Sequence, residues 1–500
     1  MKHPIWQSAI TGSKYAFVVL LAVSPVLALG AANVREASLD VQARPLIAAV
    51  LASFGLWGLC ILLFKDRGRA AIFSSLFVFL FLSYGHFYTA IGERIPFSNW
   101  ILWIAILLVP YLVQRLGRGG GSRQKNIFSA LNVIGIALVA QAVYGTIAYP
   151  LALRNATPVS ALDFTPGIQA KPDVYYIIVD SYTRADTLKK LGFNNAAFIK
   201  ELKRRGFYVG TCSTSNYLFT TLSLASSLNM DYLWNVFPEK GNNDADSTPI
   251  YKTLKENRVR SIFEGMGYQT VAFETGYAWT EWRDADLFLQ PGYNRLTFPH
   301  LQPFEQLLLS GTAAWPLLST DQQQRYRFSS YHPHFDRVHY VFDSLAGLPE
   351  TAGPKFVFAH ILLPHPPYVF NADGSMREPG RYVGKKPYAE NVRATNTLLL
   401  DTLDEILENS PAPPIIIIQG DHGRWGSKSA DKFTILNAYF LPDDGQQVLY
   451  PRISPVNTFR VIFNTYFGAD FPILDDLQII TDIGRPYKNH PAPHIPSPCD

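Results

Sequence analysis

PPIIIIQGDHG, residues 413–423, is the stretch of sequence that decides the fold. Four consecutive isoleucines are typical of a strand that is buried on both faces of a parallel sheet. The strand ends abruptly at Asp421 and His422, and Gly420 and Gly423 permit a sharp turn there. Ligands of open α/β sheets bind at the carboxyl ends of the strands, where a carboxylate beside an imidazole suits a divalent metal. An ordinary strand-to-loop turn with a salt-linked histidine is the alternative interpretation.

Two further apolar runs predict strands with polar residues beyond their ends. VYYIIV, residues 174–179, precedes Asp180, and FVFA, residues 356–359, precedes His360 and His365. Asp180 is thus a second carboxylate at the end of a strand, with a helix cap as the alternative. His365 lies in a proline-rich loop that suits an oxyanion contact or a proton donor, with a structural histidine as the alternative. The pattern predicts an α/β domain with a mostly parallel central sheet.

FTTLSLASSLNM, residues 219–230, carries a cluster of small hydroxyl side chains at the start of a predicted helix. Thr220, Thr221 or Ser223 falls at or near the first turn of this helix. A hydroxyl in that position can simply cap the helix. Together with a metal and the positive end of the helix, it can instead be a nucleophile towards a phosphoryl group.

Trp282 and Arg283 lie in a predicted loop after another strand. An arginine in such a loop can hold an anionic substrate bidentately, so this pair is a candidate substrate contact. Packing of the indole plus a surface ion pair is the alternative interpretation.

Composition excludes several classes of protein. Five hundred residues imply more than one domain, and 17% charged residues against 48% hydrophobic is a low charge content for a purely soluble protein. A net charge of +4, without basic runs interleaved with aromatic residues, argues against nucleic acid as a partner. Of the three cysteines, Cys60 lies in an apolar run, so Cys212 and Cys499 are the pair that would bridge in an oxidising compartment.

The apolar residues concentrate before residue 150 and predict a membrane domain. Five segments approach the ~20 residues that cross a bilayer: 15–31, 46–64, 70–92, 99–114 and 127–149. Most basic residues of this region fall before the first segment, between the second and third, or between the fourth and fifth. By the positive-inside rule these parts are cytoplasmic, so five spans would deliver everything after Arg154 to the periplasmic or extracellular side of the cytoplasmic membrane.

Four motifs occur in an order that resembles the sulfatase-like branch of the alkaline phosphatase superfamily. They are VDS at 179–181, the FTTLSLASSL segment, PHPPY at 364–368 and GDHG at 420–423. The layout is similar to that of membrane-anchored lipoteichoic acid synthases and phosphoethanolamine transferases. The domains implied are a membrane domain at 1–152, a linker at 153–172 and an extracytoplasmic catalytic domain at 173–500.

The resemblance also implies roles for individual residues. Asp180, Asp421 and His422 would be metal ligands, and Thr220 both a ligand and the nucleophile, with Thr221 as the fallback register. The substrate-contacting residues implied are His365 and the pair Trp282 and Arg283. His360, which follows a predicted strand, is a further candidate for contact with the substrate. Cys212 does not occupy the formylglycine position of true sulfatases, and the Asp-x-x-x-His pair of two-zinc members is not found. One divalent ion is therefore expected, with Mn²⁺ favoured over Mg²⁺, Ca²⁺ or Zn²⁺.

Three functions remain open on this sequence. The first is a membrane-anchored phosphotransferase or phosphodiesterase that acts on phospholipid headgroups or phosphorylated envelope glycans through a phosphothreonine. The second is a sulfatase-like hydrolase of sulfate or phosphate monoesters. The third is a non-catalytic protein that binds an envelope component.

Overall fold

A computed structural model describes residues 14–91, 98–118, 121–156, 159, 171–292, 294, 296–378, 384–424, 426–427, 429–482, 484–492, 495 and 498–500. The chain forms two compact units. One consists of Met1–Leu151 and Tyr293–Pro333, and is called the helical unit below. The other consists of Ala152–Gly292 and His334–Asp500, and is called the sheet unit. The boundaries at 152 and 172 remain a prediction, and the return of residues 293–333 to the helical unit was not foreseen.

The helices and strands follow one another along the chain in two blocks. The first block consists of α1 Phe17–Ala32, α2 Ala43–Phe64, α3 Arg67–Leu82, α4 Tyr84–Ile91, α5 Ser98–Leu116 and α6 Gly121–Asn155. The second block consists of β1 Val174–Val179, α7 Ala185–Lys190, α8 Ala196–Arg204, β2 Tyr208–Val209, α9 Thr220–Asn229, α10 Leu233–Val236, α11 Thr248–Lys255, α12 Arg258–Gly265, β3 Gln269–Phe273, β4 Leu287–Leu289, α13 Pro303–Ser310, α14 Thr320–Ser329, α15 His332–Gly347, β5 Lys355–Ile361, α16 Lys385–Asn409, β6 Ile415–Gln419, α17 Ser429–Phe433, β7 Asn437–Phe440, α18 Pro455–Tyr466, β8 Ile479–Asp482 and β9 Arg485–Pro491.

Each of the five apolar segments predicted from the sequence lies on helices of the first block. Within the described residues, three helices are long and apolar enough to cross a membrane, namely Leu39–Phe64, Asn99–Leu116 and Gly121–Asn155. The third predicted segment is a pair of helices, α3 and α4, bent by 57°, and the first is the shorter apolar helix α1. The presence of apolar helices is thus confirmed, whereas five spans and their orientation remain a prediction.

Residues 301–314 pack onto the first-block helices at the break between α3 and α4. The backbone N–H of Gly85 donates to the carbonyl of Gly311 over 2.7 Å, and that of Ala313 donates to the carbonyl of Phe81 over 3.0 Å. A helix break frees backbone groups that need partners in an apolar environment. The returning chain supplies them here, so the contact is specified by hydrogen bonds as well as by apolar packing.

The sheet unit is built on a mostly parallel sheet, as predicted. Its seven strands, counted over the described residues, run in the order β2-β7-β6-β1-β5-β3-β4. β1 pairs in parallel with β5 on one side and with β6 on the other, and β3 is parallel to β5 and β4. β7 is antiparallel to β6, and β2 is antiparallel to β7. The isoleucine run is therefore β6, a central strand whose five residues are all buried.

The core of the sheet unit explains why β6 needs no polar face. Helices cover the sheet, and Phe263 of α12 stacks on Phe356 of β5, with ring centres 4.4 Å apart, while Phe459 of α18 meets Tyr176 of β1 edge-on at 4.9 Å. Each aliphatic or aromatic side chain that is buried contributes ~1.5–3 kcal/mol to stability.

The predicted bridge between Cys212 and Cys499 is confirmed, because the two residues are joined by a disulfide.

Candidate metal centre and active site

The strand order brings the predicted acidic residues to one edge of the sheet. Asp180 directly follows β1, and Asp421 and His422 follow the neighbouring parallel strand β6. Parallel strands end at the same edge, so these side chains meet. Gly423 permits the backbone of Asp431 to approach the loop after β6, because a Cβ there would lie 2.6 Å from the carbonyl oxygen of Asp431.

Asp180, Asp421 and His422 form a buried cluster that has the geometry of a metal site. Each offers one ligand atom, and these atoms all lie within 4.8 Å of one another. The Nε2 atom of His422 is 3.8 Å from Oδ1 of Asp180 and 3.5 Å from Oδ2 of Asp421. Two carboxylates and an imidazole that converge on one point away from water are suited to a divalent cation.

The hydrogen bonds of the cluster fit such a cation. Asp421 accepts the backbone N–H of Ser181 at Oδ1 over 3.0 Å, but its buried Oδ2 has no hydrogen-bond partner among the described residues. Nδ1 of His422 lies 2.7 Å from the carbonyl oxygen of Gly423, so Nδ1 carries the proton and Nε2 presents its lone pair to the carboxylates. A buried carboxylate oxygen without a partner is costly, and a metal ion would satisfy it.

Thr220 is the first residue of α9 and lies at this cluster. Its Oγ1 is 3.3 Å from Nε2 of His422, and the side chain is half-buried. Ser223, one turn later, donates from its hydroxyl to the backbone carbonyl of Asp421 over 2.7 Å and so ties α9 to the loop after β6. The structure thus favours Thr220 over Thr221 as the hydroxyl nearest to the candidate ligands.

Three imidazoles control the charge of Asp180. Burial alone would raise the pKa of Asp180, but His365, His360 and His422 outweigh it, and the net pKa lies well below its usual range. The carboxylate is therefore ionised at neutral pH, as a metal ligand must be. His360 lies inside β5, fully buried, with Nε2 3.3 Å from Oδ2 of Asp180. His360 contacts the Asp180 carboxylate inside the protein. The structure therefore does not bring His360 to an open substrate surface.

His365 is held in the loop that was predicted from its prolines. Its Nδ1 lies 2.6 Å from the carbonyl oxygen of Pro366, so Nδ1 donates and Nε2 is left for another contact. The side chain is half-buried, and its influence on the pKa of Asp180 places it close to the cluster. The contact of His365 to a substrate oxygen remains a prediction.

We expect His365→Ala to lower turnover by roughly 10²–10³-fold, because a group that stabilises or protonates a leaving oxygen contributes about that much. Metal content, measured by mass spectrometry, should stay at the wild-type level, because none of the three candidate ligands is removed. His339→Ala is a matched control, since Nε2–H of that imidazole donates to the carbonyl of Gly374 instead. Loss of the metal together with activity in His365→Ala would show that His365 supports the ion rather than the substrate.

Trp282 and Arg283 are not brought to the cluster. The indole of Trp282 is fully buried, stacks on Phe358 at 4.4 Å and donates its N–H to the carbonyl of Leu254. Arg283 pairs with Glu281 over 2.8 Å. The alternative interpretation, core packing plus an ion pair, describes both residues. The tryptophan near the site is Trp279, whose ring lies 6.5 Å from that of His360.

Lys432 is a cationic residue of the site that the sequence analysis missed. It lies on α17, with Nζ 4.5 Å from the centre of the Phe219 ring, and Phe219 immediately precedes Thr220. Burial lowers the pKa of Lys432, while Asp421 and Asp180 act in the opposite direction. No motif surrounds it in the sequence, so only the fold reveals that it lies beside the cluster.

His334 is a buried neutral histidine next to the site. Burial, then the charges of Arg337 and His365, lower its pKa from 6.5 to about 3. The folded state therefore binds fewer protons at this residue than the unfolded state between these two pH values. Stability is unaffected by His334 above about pH 6.5 and falls as the pH drops towards about 3, by up to ~1.4 kcal/mol for each pH unit.

We accordingly expect His334→Gln to weaken the pH dependence of the free energy of unfolding between pH 7 and about pH 4.5. Chemical denaturation of both proteins at the two pH values measures the difference, expected at ~2 kcal/mol. Identical pH slopes would show that folding does not lower the pKa of His334.

No protein-family model and no curated protein matches this chain. Several solved structures do match this chain. The periplasmic domain of EptC from Escherichia coli, in complex with zinc, is 12% identical with a TM-score of 0.43, and the match covers 67% of this chain and 94% of that chain. The periplasmic domain of the phosphoethanolamine transferase EptC from Campylobacter jejuni is 11% identical with a TM-score of 0.39, over 61% and 92%. A 2-O GAG sulfatase is 13% identical with a TM-score of 0.38, over 61% and 72%.

Proposed function

We propose that this protein is a membrane-anchored, metal-dependent phosphotransferase or phosphodiesterase. Its substrates would be phosphoesters of lipid headgroups or of cell-envelope glycans, and the reaction would pass through a phosphothreonine at Thr220. The observation that carries the proposal is the position of the Thr220 hydroxyl, at the start of a helix and 3.3 Å from an imidazole of a buried two-carboxylate cluster. A structural cap would not require such a cluster.

Asp180, Asp421 and His422 would hold one divalent ion, with Mn²⁺ favoured because the donors are two oxygens and one imidazole nitrogen. When bound, the ion lowers the cost of ionising a hydroxyl and neutralises negative charge on the phosphoryl group. The first turn of α9 adds the positive end of the helix dipole at the same place.

The protein's own side chains would then carry out the transfer. Oγ1 of Thr220 forms a bond to phosphorus, the ester bond to the leaving alkoxide breaks, and the threonine proton passes to solvent through the half-exposed face. In its imidazolium form, which takes a proton from solvent and keeps Nδ1–H on the carbonyl of Pro366, His365 would donate the Nε2 proton to the departing oxygen, and Lys432 would add a positive charge next to Phe219. Attack of water or of an acceptor hydroxyl on the phosphothreonine returns Thr220 to its free form.

We infer that the protein resides in the cytoplasmic membrane with its sheet unit on the periplasmic or extracellular side. The apolar helices, the distribution of basic residues and the Cys212–Cys499 disulfide support this location, since disulfides persist in oxidising compartments. Fusions of alkaline phosphatase and of a cytoplasm-only reporter after Arg154 test it. Activity of the cytoplasmic reporter alone would refute this orientation.

The covalent step is tested with the purified full chain, Mn²⁺ and a panel of phospholipids. Intact-mass analysis should detect an adduct with the mass of a phosphorylated headgroup, and peptide mapping should assign it to Thr220. Omission of the metal is the control. An active protein that never carries this adduct would contradict the covalent route.

Hydrolysis by the formylglycine route is not proposed. Cys212, the cysteine that lies near the nucleophile in sequence, is bonded to Cys499 and is unavailable for oxidation to an aldehyde. A purely binding role is also less well supported, because it gives no reason for the Thr220 hydroxyl to lie 3.3 Å from His422, in a cluster where Oδ2 of Asp421 has no hydrogen-bond partner among the described residues.

A further inference from the structure

The helical unit contains a cavity of about 700 Å³ between α2, α3 and the returning residues 301–314. Of its 16 lining residues, 13 are apolar, so the ligand that it suits is a hydrocarbon. α2 contributes the small side chains of Ala48 and Ala52, and α3 contributes Phe77 and Phe81. Because the side chains of Ala48 and Ala52 are small, they leave an empty space beside α2. The rings of Phe77 and Phe81 border this space.

The charged side chains of the lining do not offer a site to an ionic ligand. Arg44 and Glu305 are bonded to each other, through Nε to Oε1 at 2.7 Å and Nη2 to Oε2 at 2.6 Å. The same guanidinium donates to the carbonyl oxygens of Phe298 and His300. A bidentate pair with further acceptors is neutral as a whole, so the cavity has no charge left to select a phosphate or a carboxylate.

The third wall of the cavity is fixed rather than loosely packed. Gly311 and Ala313 are hydrogen-bonded to the backbone on either side of the α3–α4 break, and a Cβ on Gly85 would lie 3.0 Å from Cα of Gly311. This close approach holds residues 301–314 at a set distance from α3. Movement of this segment into the cavity would break these bonds, so the hydrogen bonds oppose collapse of the space.

The surroundings of the cavity indicate where its occupant comes from. α2 also exposes Leu51, Leu59, Leu62 and Leu63 on its outer surface, at 54–73% of their area. A helix with this exposed face belongs in the hydrocarbon layer of a bilayer, and the cavity is open beside the same helix. Water in an apolar cavity lacks the two to four polar partners that it requires, whereas an alkyl chain gains ~0.8 kcal/mol for each methylene that it buries.

We propose that this cavity binds one acyl chain of a membrane glycerophospholipid. The binding itself is independent of the proposed function, whereas the statement that the bound lipid belongs to the substrate class of the enzyme rests on it. The phosphoester of such a lipid is the chemistry that Thr220 would attack, so a lipid held by its chain is a reservoir of substrate on the same protein.

The test uses the full chain in nanodiscs that contain phosphatidylethanolamine with a diazirine in one acyl chain. After irradiation, peptide mapping should find adducts concentrated on Phe77, Phe81 and the 301–314 segment. Ala52→Trp fills the cavity from an exposed position on α2 and should lower this labelling at least tenfold, equivalent to ~1.4 kcal/mol. Leu51→Trp adds the same indole at the adjacent residue, which does not line the cavity, and should leave labelling unchanged.

Three results would overturn the proposal. Labelling spread evenly over the exposed leucines of α2 would mean that only surrounding lipid is present. Equal labelling of Ala52→Trp and Leu51→Trp would exclude the cavity. Labelling by a diazirine polyprenol but not by the phospholipid would assign a different occupant.

The same experiments distinguish failure of the proposed reaction at Thr220 from failure of lipid binding in the cavity. Thr220→Ala should be labelled in the cavity as strongly as the wild-type protein, because Thr220 belongs to the sheet unit. A protein that labels in the cavity but forms no adduct at Thr220 would leave lipid binding standing and remove the proposed reaction. Where turnover occurs, Ala52→Trp should also lower the ratio of activity on long-chain lipids to activity on the free headgroup ester.

Discussion

Replacing Thr220 with alanine should lower turnover by roughly 10⁴-fold or more and abolish the covalent adduct, because the attacking oxygen is removed. Much of the metal affinity should remain, since the two carboxylates and the imidazole of the cluster are untouched. Turnover of a phospholipid or of a soluble phosphodiester, measured beside metal content by mass spectrometry, separates the two effects. The backbone of α9 should also be retained, because alanine is the best helix former.

Thr221→Ala is the matched control for this variant. It removes the same hydroxyl from the next residue of α9, which has no described contact with Asp180, Asp421 or His422. Its turnover should stay within a few-fold of the wild-type value. A Thr220→Ala protein with normal activity would remove Thr220 as the nucleophile and make Thr221 the next residue to test.

Asp421→Asn should lose both the metal and the activity. The carboxylate has no exposed surface, and its Oδ2 has no hydrogen-bond partner among the described residues, so a neutral amide removes the charge that the ion would balance. We expect metal affinity to fall by more than ~10²-fold, which exceeds the usual effect of changing a residue behind a ligand. Turnover should fall at least in proportion.

Asp404→Asn provides a surface comparison. Asp404 lies on α16, is half-exposed and pairs with Arg205, so its loss should change neither metal content nor turnover. Full metal content in Asp421→Asn would mean that the cluster is not where the ion binds. The two variants are thus expected to differ in metal content: Thr220→Ala keeps the ion, and Asp421→Asn does not.

The sequence was sufficient to predict the central strands and the residues at their ends. A strand buried on both faces has a continuous apolar pattern, which β1, β5 and β6 all show. Because parallel strands share an edge, the carboxylates that follow two of them must meet, and Asp180 and Asp421 do. The resemblance to a known superfamily added Thr220, which spacing alone could not separate from Thr221.

Other features depend on contacts that the local sequence does not encode. Trp279 and Trp282 lie three residues apart in one loop, and only the packing of the loop decides which indole enters the core. Lys432 reaches the site because α17 folds back over Phe219. Residues 303–347 contain the helices α13, α14 and α15, and an apolar helix face does not specify which surface it covers.

The return of residues 293–333 to the helical unit affects how the protein folds during synthesis and which soluble fragments of it can be produced. During synthesis the break between α3 and α4 cannot receive its backbone partners until Gly311 and Ala313 have left the ribosome, so the first-block helices wait for a distant part of the chain. A soluble fragment that begins near residue 173 would carry this segment without the helices that cover it, exposing Leu308 and Leu309 to water. A fragment in which a short polar linker replaces residues 293–333 should therefore be more soluble than one produced by truncation alone.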